Sequence, residues 1–211
     1  MSQAEPERSN LLYRVLEIPA VYRLAQFMLA PGHERPFVGA IREVAAELPP
    51  AARVLDVGCG PQSWLWRLGL LPVGLDPLPS YTEALRAAGS PAVIGSALAL
   101  PFRDAVFDAV WCFSVLHHLT DDGARTALAE MQRVCRPDGY VVAWDIVLPE
   151  LAVRRPIAWT IRKLDRGGQV RSRAALRALL PEAERWQIRE LRYTVYGLEG
   201  CFCVRRRSER S

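Results

Sequence analysis

The sequence predicts an α/β protein with a mostly parallel central sheet, helices on both faces and an antiparallel hairpin at its end. Three observations predict it. Short apolar runs alternate with segments of helical periodicity from residue 53 onward, the first run closes on an acidic residue and two glycines, and the last two strand-like runs are separated only by a turn.

Taken in order, Leu11 to Ile18 and Val21 to Leu29 carry apolar residues at helical spacing and are interrupted by Pro19 and Pro31-Gly32. Pro36 to Leu48 is a better helix, with Phe37, Ile41, Val44, Ala45 and Leu48 on one apolar face and Pro49-Pro50 as its stop. Residues 1–50 are therefore expected to form helices covering one end of a domain that spans residues 51–211.

Five strands are expected at Arg53 to Val57, Leu71 to Leu75, Ala92 to Ile94, Phe107 to Phe113 and Tyr140 to Ile146. Helices at about Ser63 to Leu68, Tyr81 to Ala88 and Asp122 to Arg136 fit right-handed crossovers between them. Arg136-Pro137-Asp138-Gly139 reads as the turn into the fifth strand. Leu151 to Leu164 and Ser172 to Leu180 read as helices, with Ser172 as an N-cap. Glu184 to Val195 and Gly200 to Arg207 then make a hairpin, for seven strands in all.

With 211 residues, half of them hydrophobic, the chain can bury one substantial core. No apolar run approaches the roughly 18 to 20 residues a membrane span needs, and Met1 to Asn10 is polar, so a cytoplasmic protein is expected. Cys59, Cys112, Cys135, Cys201 and Cys203 lie scattered in apolar stretches, which argues against a disulfide framework and a zinc site. The charge is asymmetric. Residues 1–150 are net −5, whereas residues 151–211 are net +9, so the last third can attract an anionic acceptor, nucleic acid or anionic lipid.

Parallel sheets bind ligands beyond the carboxyl ends of their strands, which places the candidate site at the turn after Val57. Gly58 and Gly60 let the backbone approach a ligand closely. Ser63 stands where a dinucleotide fingerprint has its third glycine, and Pro61 removes an N–H that a pyrophosphate would use. Asp56 would repel a pyrophosphate but attract a cationic amino group. Asp76, at the end of the Val73-Gly74-Leu75 run, can accept both hydroxyl protons of a ribose.

These pieces, together with Leu100 to Asp108, Val115-Leu116-His117-His118-Leu119 and Glu130 to Gly139, resemble the class I S-adenosylmethionine-dependent methyltransferases, in the group with small-molecule-type methyltransferase domains. The resemblance spans about residues 40 to 148. It implies a Rossmann-like fold, S-adenosyl-L-methionine as cofactor, S-adenosyl-L-homocysteine as product, and no metal. It also implies that Asp56, Gly58, Cys59 and Gly60 hold the methionine portion, that Asp76 holds the ribose, and that Pro77 and Leu78 flank the adenine opposite Ser96, Ala97 and Leu98. Phe113 and Ser114 would lie near the methionine part, with His117 facing cofactor and acceptor. Two positions depart from the family pattern. Gln62 replaces a frequent third glycine, and Ser96 replaces an Asp that accepts the adenine amino hydrogen, a bond a neutral hydroxyl accepts more weakly.

His117 and Asp145 are the catalytic candidates, as a base or an acceptor-orienting group, with wall and strand-end roles as the ordinary alternatives; His118 is a weaker one. Tyr13 and Tyr22, with Phe27, are candidates for an aromatic lid over an acceptor. In a possible acceptor-recognition insertion at residues 149–183, Arg162, Arg166 and Arg171 can contact an acidic acceptor. Tyr196, with Tyr193 and Glu199, can line the same pocket. The expected reaction is in-line methyl transfer to an O or N atom of a small molecule. RNA and lipid acceptors remain as alternatives, as does a cofactor-binding or interaction protein without turnover; a nicotinamide-dependent oxidoreductase fits least.

Overall fold

A computed structural model describes residues 34–149, 156–163, 168–192 and 198–206. The two expected N-terminal helices, with Tyr13, Tyr22 and Phe27, lie outside the described residues, as do Arg166, Tyr193 and Tyr196.

The described elements run α1 (Glu34–Ala45), β1 (Val54–Val57), a 3-10 helix (Trp64–Leu68), β2 (Val73–Asp76), α2 (Pro79–Ala87), β3 (Ala92–Ile94), β4 (Phe107–Phe113), a 3-10 turn (Leu116–His118), α3 (Asp121–Val134), β5 (Cys135–Val147), α4 (Pro156–Lys163), α5 (Arg173–Arg177), a 3-10 turn (Ala183–Arg185), β6 (Gln187–Arg192) and β7 (Glu199–Arg206). All seven strands join one sheet in the order β3-β2-β1-β4-β5-β7-β6. The first five are parallel; β7 pairs antiparallel with both β5 and β6. The order reverses between β1 and β4, so their carboxyl ends open side by side at the switch point.

Side chains alternate between two cores because successive strand residues point to opposite faces. Leu55, Val57, Val110, Cys112, Val141 and Ala143 pack on one side with Leu128 and Met131 of α3. Val54, Ala109, Trp111, Phe113, Val142 and Trp144 pack on the other with Phe37, Ile41 and Val44 of α1. The α1 face read from sequence is thus the buried one, and each such side chain stabilises the fold by about 1.5–3 kcal/mol. Ser172 caps α5 as expected, its hydroxyl accepting from Ala175 N–H at 3.2 Å.

Two elements differ from expectation. The segment after β1 is a single 3-10 stretch rather than an α-helix; it starts at Ser63, which accepts from Leu65 N–H, and ends at Gly69 with φ +72°. Arg136-Pro137-Asp138-Gly139 is not a turn between helix and strand. Helix α3 ends at Val134 and the chain enters β5 directly at Cys135, which pairs with Phe107; a register shift follows before Tyr140 pairs with Ala109. Gly139 is required there by crowding, since a Cβ would sit 2.5 Å from the Asp108 carbonyl oxygen. Arg136 bridges to Asp108 across the irregularity.

All five cysteines are free and buried. Among the described residues no helix is long and apolar enough to cross a membrane.

Candidate functional site

The turn after β1 is built around two buried carboxylates. Asp56 is 1% exposed. Its Oδ2 accepts from Ser63 Oγ at 2.6 Å, and its Oδ1 has no hydrogen-bond partner among the described residues. Burial, and secondarily the charge of Asp76, push its carboxyl up to about 7, against the lowering effect of the Ser63 bond. Ser63 is a residue the sequence reading missed as a site member: it registered only as a missing glycine, although a serine just before Trp64 is also a helix-start signal.

Asp76 ties the two adjacent turns together. Its Oδ2 accepts from Gly60 N–H and its Oδ1 from Leu78 N–H, both at 3.0 Å. Burial raises its pKa above the ordinary carboxylate value, and these two bonds reduce that rise only in part. Each oxygen keeps a further acceptor site for a hydroxyl. The main chain closes the turn, with Gly58 and Cys59 N–H both donating to Leu75 O at 2.7 and 3.1 Å.

Gly58 has φ +69°, and a Cβ there would lie 2.2 Å from Val115 Cγ2. Both conditions select glycine. Gly58→Ala is expected to cost about 2 kcal/mol through left-handed strain and the push on Val115, and to weaken ligand binding at the turn more than tenfold. Thermal unfolding and calorimetric titration read the two effects separately.

On the far side of the sheet edge, Leu78 opens α2 behind Pro77. Ser96 and Ala99 form an isolated bridge, and Ser96 Oγ accepts from Leu98 N–H at 3.2 Å, so one of its lone pairs is already committed. Leu98 stays 41% exposed, an apolar surface beside Ala97. The Phe113 ring turns into the α1 core, 5.1 Å from Phe37, and Ser114 has φ +56° with its N–H donating to Trp144 O at 2.8 Å. Strain at a non-glycine residue at the end of β4 marks the same rim of the sheet.

The two catalytic candidates come together. His117 Nδ1 lies 2.6 Å from Asp145 Oδ1, and the His117 main-chain N–H donates to Asp145 Oδ2 at 2.8 Å. Both residues are buried. The His118 ring stands 4.1 Å from the His117 ring.

The arginine candidates separate. Arg171 is 8% exposed, and its guanidinium donates to Leu116 O at 2.7 Å, Leu119 O at 2.6 Å and Asp121 at 2.8 Å. It clamps the loop after β4 from the main-chain side. Arg162 is buried on α4. Glu199 pairs with Arg173 at 3.1 Å and Arg192 at 3.2 Å. Among the described residues no group of three or more His, Cys, Asp or Glu could hold a metal ion.

A family described as "Methyltransferase domain" matches residues 55–143, from β1 through β5. Residues 55–143 thus carry a methyltransferase domain. This domain is 38% identical over 126 residues to a demethylmenaquinone methyltransferase of Roseiflexus castenholzii, covering 55% of this chain and 52% of that protein. It is 33% identical over 106 residues to a probable tRNA methyltransferase 9B of Homo sapiens, covering 49% of this chain and 23% of that one. The chain thus spans about half the length of the first of these relatives and a quarter of the second. The fold of the methyltransferase domain matches a Thermotoga maritima S-adenosylmethionine-dependent methyltransferase, a possible histamine N-methyltransferase, with TM-score 0.64, 18% identity, and coverage of 92% of this chain and all of that one.

The residues fit the cofactor of that family. An unpartnered carboxylate oxygen beside a second acid is the complement of an ammonium group, and a glycine turn with no room for a Cβ leaves its backbone free to approach.

Proposed function

We propose that this protein transfers a methyl group from S-adenosylmethionine to a small, ring-bearing acceptor of the quinone type. The observation that carries the methyl-transfer reading is the unpartnered Asp56 Oδ1 at the switch point, one bond away from Ser63 and beside the Asp76 turn. When bound, the cofactor supplies a methyl on a sulfonium whose departure leaves a neutral thioether. The chain's own residues do the rest: Asp56 binds the amino group, Asp76 the ribose hydroxyls, Leu78, Ala97 and Leu98 offer apolar contact to the adenine, and the rim formed by Ser114 to His117 orients the acceptor.

The acceptor class rests on the extent of the matches. Matches to demethylmenaquinone methyltransferases extend over more of each protein than those to tRNA enzymes. The basic excess after residue 150 is compatible with RNA: of its arginines paired with acids among the described residues, only Arg171 and Arg189 pair with acids outside the segment, Asp121 and Glu43, so the excess is not cancelled. The tRNA relatives keep RNA as the second reading, and residues 149–183 are where either acceptor would be selected.

Incubation with S-adenosylmethionine carrying a tritiated methyl, against 1,4-dihydroxynaphthalene in one reaction and total tRNA in another, tests this reading. Label is expected in the naphthoquinol. Label confined to tRNA would replace the acceptor class, and label in neither, with no binding of S-adenosylhomocysteine, would refute the function.

A further inference from the structure

Asp56 of β1 and Trp111 of β4 occupy paired positions in the parallel ladder. Paired residues of parallel strands point to the same face of a sheet, and here that is the α1 face: Val54 and Trp111 belong to its core, and Asp56 follows Val54 by two residues. Both side chains are buried. Trp111 Nε1, a donor, and Asp56 Oδ1, an acceptor, each lack a hydrogen-bond partner among the described residues, and Asp56 Oδ1 is the single buried side-chain acceptor there in that condition.

Buried indole N–H groups ordinarily find an acceptor. Trp66 Nε1 donates to Ser90 Oγ at 2.7 Å and Trp186 Nε1 to Pro181 O at 2.9 Å. The Trp111 ring stands 5.7 Å from the Phe113 ring in an apolar cluster where a phenylalanine would pack without desolvating a donor. Its N–H therefore points to a use other than packing, and the unused carboxylate oxygen on the adjacent strand is the complementary group.

We propose that Trp111 is a positioning residue for Asp56: a single buried water accepts its Nε1–H and donates to Asp56 Oδ1, fixing the carboxylate in the orientation that receives the ammonium of the methyl donor. The ammonium part rests on the methyl-transfer reading above, whereas the link between indole and carboxylate does not. With Ser63 on Oδ2 and the water on Oδ1, each oxygen has one donor and keeps acceptor capacity for a ligand. Donors to a carboxylate favour its charged form. Trp111 thus acts with Ser63 against burial and the charge of Asp76, which together push the Asp56 carboxyl up to about 7. The other titratable groups around Asp56 are Cys59 in the turn and Cys112 beside Trp111 on β4, and burial pushes both thiols up, away from ionisation.

The test uses the full chain with nitrogen-15-labelled tryptophan, together with Asp56→Asn and Trp111→Phe. In ligand-free wild type, the Trp111 indole cross-peak should show transfer from water and move through a midpoint near pH 7 as Asp56 ionises; in Asp56→Asn it should stay fixed. Trp111→Phe keeps a ring and removes the donor, so Asp56 should ionise about one pH unit higher. Affinity for S-adenosylhomocysteine should then fall about tenfold at pH 6 yet stay within about twofold of wild type at pH 9, a pH-dependent gap that loss of packing alone does not produce. A Trp111 cross-peak that ignores pH, or that titrates identically in Asp56→Asn, overturns the proposal. So does a folded Trp111→Phe protein whose affinity follows wild type from pH 6 to 9. If Trp111→Phe does not fold, the comparison of wild type with Asp56→Asn decides alone. Failure of the wild type to bind S-adenosylhomocysteine refutes the function instead, and the indole titration still decides the link.

Discussion

Replacing Asp56 with Asn is expected to weaken S-adenosylmethionine binding at pH 7.5 by about 10- to 100-fold and, in the same protein, to raise the stability of the ligand-free fold. The first effect follows from loss of a charge-assisted hydrogen bond to the ammonium, about 1.5–3 kcal/mol. The second follows from the burial of Asp56. Its carboxyl is raised from 3.8 to about 7 in the folded chain, so the folded state binds the proton more tightly than the unfolded one. The associated stabilisation is full below pH 3.8 and is lost as pH rises toward 7. Above that, the ionised group penalises the ligand-free fold by up to about 4 kcal/mol, a cost that an amide of the same shape avoids. Urea unfolding at pH 8 of the two proteins without ligand should show the Asn variant ahead, and adding S-adenosylmethionine should narrow or reverse the order. A site that is unstable until filled is the expected signature of a carboxylate kept for a cationic ligand.

Arg171→Met is expected to be the most damaging change outside the cofactor turn. Methionine keeps the apolar stem but removes the donors that reach Leu116 O and Leu119 O. Although Leu119 N–H still reaches Leu116 O, buried carbonyl capacity is left without its donors, at a cost of about 3 kcal/mol, which for a chain of this length lowers the melting temperature by about 6–12 °C. Asp121, largely exposed, is resolvated at little cost. Because the loop carrying His117 loses its clamp, turnover should fall further than cofactor affinity does. Equal losses in both would mean Arg171 serves only the fold.

Legibility differed by the kind of signal. The geometry of the turn after β1 was readable because its residues are contiguous and each has a physical reason: an acid at a strand end, a glycine where a side chain would strike Val115, and a second acid on the next strand. The His117–Asp145 pair was half readable. Each residue stood out alone, but their union depends on β4 lying beside β5 in a particular register, which a separation of 28 residues does not reveal. Arg171 read as a solvent-facing contact for an acidic acceptor because it lies in a basic, glycine-containing stretch. Its partners are main-chain carbonyls, which leave no trace in residue types. The same limit explains β5: Pro137 and Gly139 spell a turn, and only the crowding against Asp108 shows that they serve an irregular strand start. Ser63 was hidden by the question asked of it, since a glycine-fingerprint position is also a cap position.

The most direct test of the whole account is the pH dependence of S-adenosylmethionine affinity by calorimetry between pH 5.5 and 7, in wild type and in Asp56→Asn. The ammonium needs an ionised partner, and Asp56 in the ligand-free chain ionises only near pH 7. Wild-type affinity should therefore climb toward tenfold per pH unit across this window, with about one proton released on binding, and the Asn variant should bind weakly and evenly throughout. Equal affinities in the two proteins, or a wild-type affinity that does not change with pH, would contradict the placement of the cofactor at Asp56.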